Sequence, residues 1–301
     1  MVSVPSALHA LLGPPEGEPE ALGGGITNHN LRVRFAGRDC VVRLAGRNTA
    51  LLGIDREYER AATSAAAAAG IGPEVVAFLD DPECLVTAFI PGRILTPDDL
   101  TQPDAIAEVA VTLFELHEGP PIPGVFSAWA VVDAYHRTAA QRGGDVPGAF
   151  GDVREGARRI ERALDPAHPE HASVPCHNDL LPANFIHDGN RVRIVDWEYA
   201  GMGNRYFDLG NLSVNNHFSE AGDDWLLECY WGEPCTRRRL ATVRLMRIMS
   251  DFREAMWGVV QTTLSDLDFD FGGYAAEHFE RVQRGLSDPR FGVWLEDARG
   301  P

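Results

Sequence analysis

Ahead of Pro91-Gly92, apolar residues recur at the two-residue period of strands. Leu31, Val33 and Phe35 alternate with polar neighbours, and the run Val41-Val42-Arg43-Leu44 follows, with Ala36-Gly37-Arg38-Asp39 between them as a hairpin turn. Asp55 to Ala69 is rich in alanine and stops at Gly70, which predicts a helix. Val75 to Leu79 and Cys84 to Ile90 predict two further strands around the turn Asp80-Asp81-Pro82-Glu83. Strand, strand, helix, strand, strand is the order of a small sheet with one helix against it. The segment GPPEGEPE at 13–20 reads as a connector.

Beyond Pro91-Gly92 the period lengthens. Ile106, Val109, Ala110, Leu113 and Leu116 share one face of a helix over 104–117, and helices are also expected over 130–141, 154–164, 237–264 and 273–285. A strand pattern returns near residue 185, where apolar pieces flank the turn Asp188-Gly189-Asn190. The pattern predicts an α+β chain in two parts: an N-terminal lobe over 1–88 with an antiparallel sheet, and a larger, mainly helical lobe over 89–301.

That late hairpin changes the picture from architecture to chemistry. A hairpin sets the start of its first strand beside the end of its second, so Asn184 and Asp196 are expected to meet, with Asp179 in the loop just ahead. Phosphoryl transfer asks for such a set: a carboxylate to take the attacking hydroxyl's proton, and hard oxygen ligands to hold Mg2+ on the phosphates. The interval from Asp179 to Asn184 is that of the kinase catalytic loop. Gly23 to Asn28, between the connector and the first predicted strand, offers backbone N–H groups to phosphates. Arg43 at the end of the second strand is placed to reach them, with Glu57 or Glu59 of the next helix as its partner.

Composition narrows the ligands. Forty-four acidic residues against 27 Lys plus Arg give a formal charge of −17, which disfavours nucleic acid and anionic membranes; it serves solubility first and would also favour a cationic ligand. The five cysteines are scattered, with no pairing that suggests zinc or a redox dithiol, and read as reduced thiols. Residues 1–19 lack the pattern of a signal peptide and no apolar run approaches a membrane span, so a cytoplasmic protein is expected.

The motifs GGGITN (23–28), VVRL (41–44), IDREYE (54–59), FIPGR (89–93), HNDLLPAN (177–184), IVDWEYAG (194–201), FDLGN (207–211) and WGVVQ (257–261) occur in one order across nearly the whole chain. In them the chain resembles the choline/ethanolamine kinase family, near its shorter bacterial members, within the aminoglycoside phosphotransferase-like superfamily. The resemblance implies a protein-kinase-like two-lobed fold and ATP- and Mg2+-dependent phosphorylation of a small alcohol. It makes Asp179 the catalytic base and Asn184, Asp196 and Glu198 the metal-binding residues. Gly24, Thr27 and Asn28 would touch phosphates, Arg43 and Glu59 would form the phosphate-binding pair, and adenine would bond backbone at Ala88 and Ile90. His177 and Asp208 would brace the loop.

For the acceptor, Asp251, Glu254 and Trp257 fall within one arc of the predicted 237–264 helix, and aromatic faces with carboxylates recognise quaternary ammonium groups. The resemblance adds Tyr199 and Phe271 as aromatic positions. It also exposes two departures: Glu254 stands where the family has a second tryptophan, and Asn215 where it has an acid. Choline is the expected acceptor, with ethanolamine, thiamine and aminoglycosides as alternatives. A catalytically silent binding protein would be expected to lack one of Asp179, Asn184 and Asp196, and all three are present. Homodimerisation is left open.

Overall fold

The computed structural model describes residues 4–23, 28–46, 48–265 and 267–300. Its first sheet is antiparallel and has five strands: β1 (Glu20–Leu22), β2 (His29–Phe35), β3 (Arg38–Leu44), β4 (Val75–Asp80) and β5 (Glu83–Ala88), in the spatial order β1-β2-β3-β5-β4. Between β2 and β3, Ala36 and Gly37 both take positive φ, 47° and 79°, the sense that matches the twist of a tight hairpin. Leu31, Val33, Phe35, Cys40 and Val42 then share one face and form a small core with Leu8 of helix α1 (Ser6–Leu12). The two-residue alternation sends Val41 and Arg43 of β3, and Leu85 and Thr87 of β5, to a cavity on the other face. A slip of one residue would bury Arg43 and empty the cleft of its cation.

Helix α2 (Arg56–Ala68) follows the sheet's third strand, and the Asp55 side chain caps it by accepting from the N–H groups of Glu57 and Tyr58 at 2.9 and 3.1 Å. Its buried face carries Arg56, Glu59, Ala62, Thr63 and Ala66 at helical spacing. Two charged residues therefore enter the interior at its N-terminal end.

The remainder of the chain runs through β6 (Arg93–Ile94), α3 (Pro97–Leu100), α4 (Pro103–His117), α5 (Ala128–Gln141), α6 (Phe150–Ala163), β7 (Ser173–Cys176), β8 (Phe185–His187), β9 (Val192–Ile194) and β10 (Gly201–Asn204). Helices α7 (Arg205–Asn215), α8 (Glu220–Trp231), α9 (Arg237–Leu264), α10 (Phe271–Leu286) and α11 (Phe291–Arg299) complete it. Helix α9 is buried on nearly every side because α5, α7, α10 and α11 all pack on it. Gly210 of α7 permits one of these contacts: a Cβ there would lie 2.7 Å from the Cβ of Met246.

The helices expected over 104–117, 130–141, 154–164, 237–264 and 273–285 all form, with ends shifted by a few residues. Helices α1, α3, α7, α8 and α11 and strands β1, β6, β7 and β10 were not expected. Strand β1 is a three-residue edge held by its backbone pairing to β2, and α1 buries only Leu8. Neither leaves a periodic signal. Strand β5 stops at Ala88, two residues short of the expected end, and the Phe89 N–H turns to the Asp39 carbonyl at 3.0 Å. No described helix is long and apolar enough to cross a membrane.

Candidate active site

The hairpin that carries the chemistry forms as its turn residues dictate. Asp188 Oδ1 accepts from the N–H groups of Asn190 and Arg191, and β8 pairs antiparallel with β9. At its open end the Val195 N–H donates to the Asn184 carbonyl at 3.0 Å, which sets Asn184 beside Asp196. Asn184 donates through Nδ2 to the backbone carbonyl of Asp179 at 2.8 Å, so its Oδ1 is the atom left for a ligand. Asp179, Asn184 and Asp196 thus converge.

Two of the residues here hold left-handed backbone: Asn178 at φ 66° and Asp196 at φ 70°. Such conformations cost about 1–3 kcal/mol each and persist where surrounding bonds fix them. At Asn178, Asp208 supplies those bonds. Its carboxylate accepts from the N–H groups of His177 and Asn178 at 2.8 and 2.7 Å and meets His117 Nε2 at 3.0 Å. His177 bonds the Val195 carbonyl through Nε2 at 3.0 Å and takes the Asp179 N–H on Nδ1 at 3.2 Å; burial pushes its pKa down to about 4, so it serves as a neutral strut.

The sheet and α2 deliver the opposing charges. Arg43 pairs with Glu59 at 2.5 Å and also with Asp196, while the other candidate partner, Glu57, lies exposed on α2. Arg56 bridges Glu59 at 2.6 Å and Glu198 at 3.1 Å. Asn28 donates to Glu198 at 2.8 Å and accepts from Arg56 at 3.0 Å. Gly24 and Thr27 lie outside the described residues. A cavity of about 550 Å3 opens beside this cluster, lined by Leu85, Ile186, Ala88, Ile90, Asn184 and Asp196 among others. Its size is that of a small-molecule site.

On the far side of Asp179 stands an aromatic group. Trp257 donates from Nε1 to the Tyr199 hydroxyl at 3.1 Å and meets the rings of Phe271 and Tyr274 edge-on at 5.7 and 5.6 Å. The Tyr274 hydroxyl donates to Glu254 at 2.9 Å. Asp251 turns away from this group to His278 and Arg281, at 2.9 and 3.1 Å. Asn215 ends α7 with its amide nitrogen buried and without a hydrogen-bond partner.

Sequence reasoning missed three residues of the cluster. Arg253 donates to Asp179 Oδ1 at 3.1 Å, pairs with Glu254 and lies over the Tyr199 ring at 4.3 Å. Arg56 and Tyr274 are the others. The signal for Arg253 was present as a charged pair, Arg253-Glu254, directly ahead of the apolar stretch Ala255 to Val260.

Three guanidinium groups, of Arg43, Arg56 and Arg253, here face five carboxylates, of Glu59, Asp179, Asp196, Glu198 and Glu254. The excess is two carboxyl groups. Burial, with Glu254, Asp196 and Glu198 nearby, pushes Asp179 up to about 8 against the pull of Arg253. Burial and Glu198 push Asp196 up to about 6 although Arg43 opposes them. Burial works against the charge on Arg43, but Asp196, Glu59 and Glu198 more than offset it and hold its pKa well above the ordinary value. A surplus of carboxyl groups with amide and carboxylate oxygens fits a hard divalent cation such as Mg2+.

Comparison with known proteins bears on the family and the fold. Residues 18–241 match the phosphotransferase enzyme family. The crystal structure of a choline/ethanolamine kinase family protein from Mesorhizobium loti superposes with a TM-score of 0.81 at 31% identity, over 94% of this chain and 92% of that one. A crystal structure of choline kinase LicA from Streptococcus pneumoniae gives 0.75 at 22% identity, over 93% and 96%, a likeness of fold. Among curated sequences, mouse ethanolamine kinase 2 is 29% identical over 294 residues, covering 85% of this chain and 73% of that protein.

Proposed function

The chain belongs to the phosphotransferase enzyme family and, within it, to the choline/ethanolamine kinase family, and on that premise we propose that it transfers the γ-phosphate of ATP to the hydroxyl of a cationic amino alcohol of the choline or ethanolamine kind. The observation that carries this is the convergence of Asp179, Asn184 and Asp196 at one end of the β8–β9 hairpin.

In this reading Asp179 receives the acceptor's proton as the hydroxyl oxygen bonds to the γ-phosphorus and the bond to the β,γ-bridging oxygen breaks, releasing ADP. Asn184, Asp196 and Glu198 would hold Mg2+, which when bound neutralises charge on the phosphates. Arg43, fixed by Glu59, offers its guanidinium to the same phosphates, and Asn28 extends that cradle toward the glycine-rich segment. Leu85 and Ile186 supply an apolar enclosure for the base. Because the Ala88 N–H already donates to the Glu74 carbonyl at 2.8 Å, an adenine contact at this residue uses its carbonyl, with the Ile90 N–H as the neighbouring donor.

Tyr199, Trp257 and Phe271 form the aromatic side of the acceptor position, and Glu254 its carboxylate. Coupled ADP release against choline, ethanolamine, thiamine, aminoglycosides and small amino alcohols tests the proposal. Acceptor-dependent release with an amino alcohol supports it, and release driven only by an aminoglycoside or thiamine contradicts the acceptor class.

A further inference from the structure

The place beside Tyr199 where an acceptor's cation would rest already holds a cation. Arg253 lies over the ring at 4.3 Å, donates to Asp179 Oδ1 at 3.1 Å through Nη1, and uses the same nitrogen for Glu254. A quaternary ammonium drawn to that ring would meet a like charge at close range.

The rest of the guanidinium is unspent. Arg253 is 1% exposed, and both its Nε and its Nη2 are buried with no hydrogen-bond partner. Buried donors without acceptors are costly, and a fully buried guanidinium ordinarily has them filled. Glu254 and Asp179 hold one nitrogen and Tyr199 holds the face, which leaves an edge of N–H groups on the guanidinium that bonds the proposed base. A guanidinium edge is a planar fork that matches a carboxylate. It lies on the Tyr199–Glu254–Tyr274 side of Asp179, away from Arg43 and the cavity ascribed to the nucleotide.

Resting on the kinase reading above, we propose that Arg253 is a specificity-determining residue whose free edge binds a carboxylate on the acceptor, so that the acceptor is a zwitterionic amino alcohol in which a carboxylate stands near the hydroxyl. Because both nitrogens are buried, a carboxylate reaches that edge only as the side chains around it move aside. Glu254, held by Arg253 and by the Tyr274 hydroxyl, is the carboxylate that faces the amine. The Arg253-Glu254 pair then reads the two charges of one small molecule. This accounts for the departure at Glu254: a second tryptophan there would serve a quaternary ammonium, whereas a glutamate serves a guanidinium partner and an amine.

Matched pairs that differ by one carboxylate isolate the effect: ethanolamine against L-serine, and 3-aminopropanol against L-homoserine. With the wild-type chain, Mg2+ and ATP, kcat/KM by ADP release is expected to be at least about tenfold higher for a carboxylated member than for its partner, the usual worth of a charged hydrogen bond. Arg253→Met is expected to erase that preference while KM for ATP stays within about twofold, and Arg253→Lys to restore part of it. Binding of Mg-ADP to each variant, read by calorimetry, shows that the site is still folded. Turnover of the uncarboxylated alcohols alone overturns this inference and leaves the kinase reading standing. If no alcohol in the set is turned over, titration of the same pairs into the Mg-ADP complex decides: tighter binding of the carboxylated members supports the inference, and equal or weaker binding overturns it.

Discussion

Asn28 and Glu198, 170 residues apart, meet through a 2.8 Å hydrogen bond from Nδ2 to Oε2. This bond joins the end of the glycine-rich segment to the strand-following acids, and Arg56 closes the triangle with Asn28 at 3.0 Å and Glu198 at 3.1 Å. The sheet side and the hairpin side of the site are therefore one charged network. In the proposed reading, nucleotide and metal binding draw on both.

Asn28→Ala removes a donor from a buried carboxylate and an acceptor from a buried guanidinium. The expected outcome is a rise of about tenfold or more in KM for ATP, the worth of one or two hydrogen bonds to charged groups, with KM for the acceptor little changed. Steady-state kinetics in both substrates check it. An equal change in both constants would mean that the bond serves folding alone.

Trp257→Ala takes away a ring that meets Phe271 and Tyr274 and holds the Tyr199 hydroxyl. KM for the amino alcohol is expected to rise about tenfold or more, and KM for ATP to stay near its wild-type value. A variant that loses both affinities together, with a lowered melting temperature, would show Trp257 to be a packing residue.

Asp208→Ala deletes the acceptor for the His177 and Asn178 N–H groups and for His117. Leaving several buried donors unpaired is expected to destabilise the protein by about 3–5 kcal/mol, read as a lower urea midpoint. Loss of activity without loss of stability would place Asp208 in the chemistry instead.

Much of the site was legible because turn and strand chemistry are local. Asp188-Gly189-Asn190 defines the hairpin, the hairpin defines the meeting of Asn184 with Asp196, and strand alternation turns Arg43 into the cleft. Charges carried inside helices were not legible. Arg56 and Arg253 are of a residue type that ordinarily stays at the surface, and the tertiary packing of α2 and α9 brings them inward. For the same reason Glu254 and Asp251, three positions apart on α9, face different partners: Arg253 and Tyr274 for one, His278 and Arg281 for the other. Short elements such as α1 and β1 were missed because three to seven residues carry too little pattern to set a period.

The central claim is that Asp179 is the base and Asp196 a metal ligand, and it is tested most directly by measuring Mg-ATP binding and phosphoryl transfer together in Asp179→Ala and Asp196→Ala. The account predicts that Asp179→Ala binds Mg-ATP nearly as the wild type does while transfer falls by about a hundredfold to ten-thousandfold. It predicts that Asp196→Ala loses Mg2+-dependent nucleotide binding as well as transfer. Near-normal transfer by Asp179→Ala with every acceptor, or unaltered Mg-ATP binding by Asp196→Ala, would contradict it.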